Sequence, residues 1–265
     1  MAEAMVTPAF RDFDVAAFLR DTWQRRPLLI RNPWQAWRNP LEPDELAGLA
    51  LEEEVESRLV LEHGAHPWEL RRGPFAEDTF SQLPERDWTL LVQAVDQFVP
   101  EVAEVLKDFG FLPSWRIDDL MISFAAPGGS VGPHFDNYDV FLLQAEGQRR
   151  WKIGQMCDAD SPLLQHADLR ILADFEQTDE WVLEPGDMLY LPPRWAHDGI
   201  AEGECMTCSI GFRSAGAREL GRELLQRALD GDEDEAGDTI YRDPAQPATA
   251  TPGRIPEALH AFGLD

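Results

Sequence analysis

The chain has 265 residues, of which 44% are hydrophobic and nine are Trp, so it can bury a substantial globular core. Lys and Arg number 23 against 49 Asp and Glu, and the net charge of −26 argues against a bulk electrostatic grip on nucleic acid or anionic membrane. The charge allows attraction to a basic partner, and surface solubility explains it equally well. With no apolar run of transmembrane length and no secretory signal pattern, we expect a cytoplasmic protein without membrane contact or direct DNA binding.

The first hundred residues predict mainly helices. Asp14 is expected to cap a helix through VAAFLRDTWQ, and the following RRPLLIR predicts a short strand. Pro43 is expected in the first turn of a second helix. Between Pro84 and Phe109, apolar residues at three- and four-residue steps predict a helical hairpin that is divided at Pro100.

From Ile117 the pattern changes to short strands separated by turns. The expected strands lie in IDDLMISFA, YDVFLLQ, RRWKIG, WVLEPGDMLYLPP and ECMTCSIGFR, and their even spacing is typical of an antiparallel barrel or jelly roll. After Arg213 the segment AGARELGRELLQRAL predicts a helix, followed by an acidic loop and a Pro-rich linker.

A candidate metal site begins at a glycine-rich turn. His134 and Asp136 follow this turn two residues apart, so on a strand they would face the same side. His197 lies several strands further on and can supply a third ligand. Two His and one carboxylate leave about half of an octahedral shell open, as in non-haem Fe(II) oxygenases. A catalytic zinc site remains open as an alternative.

A co-substrate anchor is expected near this site. An open Fe(II) site needs an electron donor to activate O2, and 2-oxoglutarate, the usual donor, requires a cation to hold its remote carboxylate. Arg149 shares strand parity with Trp151 and Ile153, so we expect its side chain to point inward and clamp the carboxylate. The alternative is that Arg149 and Arg150 are two surface arginines at a strand end.

The segments VGPHFDNYDVFLLQAEGQRRWKIG, EPGDMLYLPPRWAHDG and SIGFR resemble the JmjC-type cupin oxygenases. More narrowly, they resemble the bacterial ribosomal oxygenases that hydroxylate an arginine of a large-subunit ribosomal protein. The similarity covers most of the chain. It implies an α+β fold with a mostly β core, a double-stranded β-helix (cupin or jelly roll, JmjC type), flanking helices and a C-terminal helical region.

The resemblance also implies a domain organisation. Residues 1–213 are expected to form the catalytic domain, with the β core at about 117–213 and the N-terminal helices packed on it. Residues 214–265 are expected to form a helical dimerisation region and linker, so the protein is expected to be a homodimer. Bacterial relatives continue into a winged-helix module, which is expected to be absent here, either because the chain is a truncated form or because it lacks that module.

By the same resemblance, specific residues receive roles. His134, Asp136 and His197 are expected to bind iron and form the catalytic centre, and Arg149 to anchor 2-oxoglutarate. Ser123, from strand parity alone, is a further candidate for binding 2-oxoglutarate. A substrate arginine is expected to contact four residues: Asp119, Met121, Tyr138 and Ser209.

Parity along the strands agrees with these roles but leaves alternatives. Asp119, Met121 and Ser123 alternate on one face of a strand, and an inward Asp119 is an uncompensated buried charge unless a cation reaches it. A salt bridge from Asp119 to Arg116 would serve equally well. For Met121 and Tyr138, simple core packing is an equal alternative.

These observations predict an Fe(II)-, 2-oxoglutarate- and O2-dependent protein hydroxylase. The resemblance implies that the product is a β-hydroxylated arginine in the basic large-subunit ribosomal protein L-sixteen, a partner that suits the acidic chain. One alternative is the same chemistry on a histidyl residue or a tRNA base. Another is a non-catalytic JmjC-like scaffold that only binds its partner.

Overall fold

The computed structural model describes residues 10–34, 36–62, 68–166, 168–213 and 216–230, together with residues 257 and 261. The chain divides into two compact units, Met1–Ser214 and Ala215–Asp265. The catalytic and dimerisation roles expected for these segments stay predictions. The acidic loop and the Pro-rich stretch lie outside the described residues. None of the helices in the described ranges has the length and apolar character that crossing a membrane requires.

Among the described residues, the larger unit contains three short α-helices and the smaller unit contains one longer α-helix. Their bounds are α1 (Val15–Asp21), α2 (Pro43–Leu49), α3 (Pro100–Val105) and α4 (Ala217–Asp230). Asp14 caps α1 as predicted, because its Oδ1 atom accepts a hydrogen bond from the Ala17 N–H at 2.9 Å. Pro43 lies in the first turn of α2, where a missing N–H costs nothing.

Most of the larger unit is antiparallel β structure. Its strands are β1 (Leu28–Ile30), β2 (Ser57–Glu62), β3 (Trp68–Arg72), β4 (Trp88–Val92), β5 (Ile117–Ala125), β6 (Asp139–Glu146), β7 (Arg149–Met156), β8 (Asp179–Leu183), β9 (Met188–Leu191), β10 (Trp195–Ala201) and β11 (Cys205–Phe212). Eight of them form one sheet in the order β1-β9-β6-β11-β5-β4-β2-β3, and the other three form a second sheet in the order β10-β7-β8.

Residues that alternate along a strand of the large sheet pack into two separate hydrophobic cores, one on each face of the sheet. On β6, Phe141 and Leu143 join α1, α2 and α3 in the larger core, whereas Val140 and Leu142 pack against residues of the small sheet. Trp151 and Ile153 of β7 belong to this second core. Because both faces of β6 are covered, its side chains are buried from Asp139 to Ala145.

The predicted helical hairpin is wrong in its first half. Trp88–Val92 is strand β4, paired with β5 on one side and with β2 on the other. The run WTLLV is aromatic, β-branched and apolar, and such a short run fits either a helix or a buried strand by periodicity alone. The second half forms α3 and a short 3₁₀ turn, Leu106–Phe109, as the helical pattern predicted. Strands β2, β3 and β10 were not predicted.

Candidate active site

Two histidines of the candidate site are joined through their main chains. His134 lies before β6 and His197 lies on β10, and each donates its N–H to the other's carbonyl, at 3.0 Å from His134 and 2.8 Å from His197. Asp136 is fixed by its own carbonyl, which accepts the Arg194 N–H at 2.6 Å. The ligand atoms of His134, Asp136 and His197 all lie within 4.8 Å of one another.

Both histidines present the same ring nitrogen to the site. Nδ1 of His134 is 2.8 Å from the Gly132 carbonyl, and Nδ1 of His197 is 2.9 Å from the Trp195 carbonyl. A carbonyl only accepts, so Nδ1 carries the proton in each ring and Nε2 is left as a ligand atom. Burial, with His134 adjacent, lowers the pKa of His197 to about 4, so this ring is neutral at physiological pH.

The donor set fits a metal with open coordination positions. Two imidazole nitrogens and one carboxylate oxygen suit Fe(II), and three protein ligands can also hold catalytic zinc. These side chains border a pocket of about 280 Å³. The same pocket is lined by every residue singled out from the sequence: Asp119, Met121, Ser123, His134, Asp136, Tyr138, Arg149, His197 and Ser209.

Arg149 points into this pocket, whereas Arg150 does not. Arg149 is 5% exposed and donates through Nη1 to the Ser123 hydroxyl at 3.3 Å. Arg150 instead forms ion pairs at the surface with Glu180 and Glu202. The inward orientation expected from strand parity is therefore observed, and the reading as two surface arginines does not hold for Arg149.

Asp119 is buried in the pocket wall without an ion pair to Arg116. Its Oδ2 atom accepts hydrogen bonds from Gln93 Nε2 at 2.6 Å and from the Ala94 N–H at 2.9 Å. Arg116 instead pairs with Asp139, at 3.2 Å. Both contacts of Asp119 are neutral donors to Oδ2, and Arg58 reaches it only through Gln93, so within the described residues Oδ1 remains available to a cation that enters the pocket.

Tyr138, Met121 and Ser209 complete this side of the pocket. Although Tyr138 is 36% exposed, desolvation of its hydroxyl and the nearby carboxylates of Asp136 and Asp119 raise its pKa, so its phenol stays protonated and can donate. Met121 and Ser209 are paired across β5 and β11 and therefore lie side by side.

Some pocket residues were not singled out from the sequence. Arg58 on β2 donates to Gln93 at 3.1 Å, and Gln93 holds Asp119, so the three side chains form a chain of polar contacts. Arg58 was missed because β2 was not predicted, and Gln93 because it fell in a predicted helix. Gly211 on β11 and Trp151 on β7 also line the pocket. The sequence did contain a signal for them: Gly211 is two residues from Ser209, and Trp151 is two residues from Arg149, so each faces the same side of its strand as a predicted site residue.

Comparison with known proteins identifies the class. The model of the JmjC domain matches residues 104–220. The chain is 43% identical over 238 residues to the "Ribosomal protein uL16 3-hydroxylase" of Escherichia coli, covering 90% of this chain and 62% of that protein. The chain thus spans less than two thirds of that relative's length.

Solved structures agree. An X-ray structure of E. coli ycfD superposes with a TM-score of 0.84 at 40% identity, covering 96% of this chain and 67% of that one. A structure of the E. coli ribosomal oxygenase YcfD, described as a complex with cobalt and 2-oxoglutarate, matches with a TM-score of 0.80 at 40% identity, covering 96% and 65%. The chain therefore belongs to the JmjC-domain family, in the branch of the bacterial ribosomal oxygenases. The predicted resemblance and fold class are confirmed.

Proposed function

We propose that the chain is a 2-oxoglutarate-dependent oxygenase that uses Fe(II) and O2 to hydroxylate the β-carbon of an arginine in large-subunit ribosomal protein L-sixteen. One observation carries the proposal. A single pocket contains the His134, Asp136 and His197 ligand set together with an inward, buried arginine, Arg149. A metal site alone would not require that buried cation, whereas a dicarboxylate bound beside the metal would.

The guanidinium of Arg149 suits a carboxylate ligand. Within the described part of the chain, its Nε and Nη2 atoms have no hydrogen-bond partner, while Nη1 is held by Ser123. Nε and Nη2 form one side of the guanidinium fork and can donate two parallel hydrogen bonds to a single carboxylate. The relative described with cobalt and 2-oxoglutarate supports assigning this carboxylate to 2-oxoglutarate.

When bound, Fe(II) and 2-oxoglutarate would supply the oxidation of a C–H bond by O2, with conversion of the co-substrate to succinate and carbon dioxide. His134, Asp136 and His197 would hold the metal, and their grouping leaves other coordination positions free. Arg149 would hold the remote carboxylate, with Ser123 fixing the guanidinium. Apolar pocket residues would limit water around the reacting groups: Val140 and Leu142, 3% and 4% exposed.

An arginine side chain fits the opposite side of the pocket. Asp119 offers a buried negative charge, and the Tyr138 hydroxyl and the Ser209 hydroxyl offer neutral polar contacts nearby. Met121 can pack against the aliphatic part of the substrate side chain. A relative named as a uL16 hydroxylase supports the ribosomal target, and the net charge of −26 suits a basic, cytoplasmic partner.

The alternatives use the same pocket differently. A histidyl residue or a tRNA base would bring no permanent cation to Asp119, and RNA would be repelled by the overall charge. A non-catalytic scaffold would need neither the ligand set nor the free fork of Arg149. Asp119 and Arg149 therefore favour an arginine hydroxylase over these alternatives.

Intact-mass measurement of ribosomal proteins tests the proposal. The purified protein is incubated with ribosomal proteins, Fe(II), 2-oxoglutarate and air, and the modified residue is located by fragmentation. We expect a gain of one oxygen atom on an arginine of L-sixteen. The gain should disappear without 2-oxoglutarate and with Asp136→Asn, which removes a metal ligand while keeping its shape.

Asp160→Asn, at an exposed position after β7, is the matched control and should keep full activity. If the oxygen atom is found on a histidine or on a different ribosomal protein, the oxygenase activity is supported but the arginine of L-sixteen is rejected as its target. If 2-oxoglutarate is neither bound nor consumed, the scaffold alternative replaces the proposal.

A further inference from the structure

Trp151, which lines the pocket near Arg149, has a buried indole N–H without a hydrogen-bond partner among the described residues. Across the described ranges, three buried side-chain nitrogens have no hydrogen-bond partner: Nε and Nη2 of Arg149, and Nε1 of Trp151. Arg149 and Trp151 are two residues apart on β7, are each 5% exposed, and line the same pocket. A buried N–H without an acceptor is unfavourable, and such groups in a pocket indicate where a ligand supplies acceptors.

The proposed co-substrate carboxylate accounts for the two nitrogens of Arg149 but not for the indole. If Trp151 only filled space beside Val140 and Leu142, a phenylalanine would pack there without burying an unpaired donor. The residue type is therefore explained better by an acceptor in the pocket than by packing.

The position of the Trp151 ring is fixed by a glycine on the neighbouring strand. Gly199 of β10 pairs with Trp151 of β7, and a Cβ atom at Gly199 would lie 2.6 Å from the Cζ3 and Cη2 atoms of the ring. The ring can therefore occupy this position only because residue 199 is a glycine. The ring atoms nearest to Gly199 are Cε3, Cζ3 and Cη2, on the edge opposite to the indole N–H.

The ring is also close to both groups that would bind the ends of the co-substrate. Its centroid is 5.8 Å from Cζ of Arg149 and 5.9 Å from the ring centroid of His197. A dicarboxylate that reaches from the metal ligands to Arg149 would pass close to the indole. Its oxygen atoms are strong hydrogen-bond acceptors.

We propose that Trp151 is a further binding residue, whose indole N–H donates a hydrogen bond to an oxygen atom of the co-substrate. This inference rests on the proposed function, because it takes 2-oxoglutarate as the ligand. It adds a neutral donor to the charged anchor Arg149. The hydrogen bond would also relieve the remaining unpaired donor in this part of the pocket.

The indole resonance of Trp151 gives a direct test. In a nitrogen–proton correlation spectrum of the protein with Zn(II), which is diamagnetic, the Trp151 indole signal is identified by its absence in Trp151→Phe. We expect this signal to move downfield when 2-oxoglutarate is added, because the N–H gains an acceptor. If Trp151→Phe proves unstable, Trp151→Tyr serves for the same assignment, and the shift itself is then read from the wild-type spectrum.

Affinity gives the second readout, by calorimetric titration of 2-oxoglutarate into the Zn(II) protein. Trp151→Phe should weaken binding roughly tenfold, since it removes one hydrogen bond to a charged ligand. The matched control is Trp181→Phe. Trp181 of β8 pairs directly with Trp151 and packs on the same apolar cluster but is not among the residues that line the pocket. This control should bind 2-oxoglutarate as the wild type does.

Two outcomes count against the inference in different ways. In the first, 2-oxoglutarate binds and Arg149→Gln abolishes that binding, but the Trp151 signal does not move or Trp151→Phe keeps wild-type affinity. The indole then does not bind the co-substrate, and the proposed function stands. If the wild-type protein does not bind 2-oxoglutarate at all, the proposed function and this inference fail together.

Discussion

Gly211 lies where a substrate side chain would pass between Asp119 and Tyr138. A Cβ atom at this position would lie 3.7 Å from Cε2 of Tyr138 and 3.8 Å from Oδ1 of Asp119. These are ordinary contact distances, so Gly211→Ala should fold normally while it narrows the approach to the Asp119 carboxylate. We expect Gly211→Ala to raise KM for an arginine peptide roughly tenfold, the result of losing about 1.4 kcal/mol of binding.

Two variants make this measurement specific. Gly203→Ala is the matched control, because a Cβ atom at Gly203 meets nothing within 4 Å. Gly211→Leu should remove detectable peptide hydroxylation by filling the approach. Unchanged kinetics in Gly211→Leu would mean that the substrate reaches the metal by another side of the pocket.

At the residue scale, the sequence predicts the inner site better than its surroundings. The side-chain period of two in strands is enough to place Arg149 inward and to align Asp119 with Met121. Arg58 and Gln93 could not be predicted in the same way, because their place in the pocket depends on the pairing of β4 with β5 and of β2 with β4. These pairings join residues distant along the chain and have no local sequence signal.

At the scale of elements, a buried network ties the helical start of the chain to the sheet. The Tyr190 hydroxyl donates to Asp139 at 2.6 Å and accepts the Gln24 N–H at 2.7 Å. Gln24 and Arg116 also donate to Asp139, at 2.9 Å and 3.2 Å. Burial raises the pKa of Asp139, and hydrogen bonds from these donors only partly offset the desolvation of its carboxylate.

Tyr190→Phe should therefore destabilise the protein more than the loss of a single hydroxyl suggests. It removes the Tyr190 donor from Oδ1 of Asp139 and the acceptor of the Gln24 N–H, while Oδ2 of Asp139 keeps Gln24 and Arg116, and we expect the free energy of unfolding to fall by about 1–3 kcal/mol. Urea unfolding followed by tryptophan fluorescence measures this. Ser81→Ala, which removes an exposed hydroxyl, should change little. Equal stability of the two variants would mean that the network contributes nothing.

Helix starts that carry chemical signals are predicted well, whereas the buried strand β4 is not. Asp14 and Pro43 mark helix starts by hydrogen bonding and by fixed backbone geometry, which are local properties. The strand at Trp88–Val92 has no alternation, because only its first residue is partly exposed. Its strand conformation is set by β2 and β5, and so only the tertiary structure reveals it.

At the scale of the whole molecule, charge should govern the encounter with a basic protein. The net charge is −26, and raising the ionic strength from about 0.1 M to 1 M shortens the screening length from about 10 Å to 3 Å. We expect KM for the intact ribosomal protein to rise steeply with salt. KM for 2-oxoglutarate, an anion, should not rise, which provides an internal control. A KM for the ribosomal protein that is independent of salt would contradict this role of the charge.

The quaternary structure expected from the family stays a prediction. Helix α4 carries exposed leucines that a second copy of the chain could cover: Leu220, Leu224 and Leu225. Each is at least half exposed, and covering them would remove apolar surface from water.

The mutual main-chain hydrogen bonds of His134 and His197 have a consequence for how the site is made. Because these two residues are paired as in a sheet, the entropy of bringing them together is lost when the chain folds, not when an ion arrives. Asp136 is held in the same way by Arg194. A metal ion that binds here would therefore meet ligand residues whose main chains are already in place, so its binding would have to order few further backbone groups.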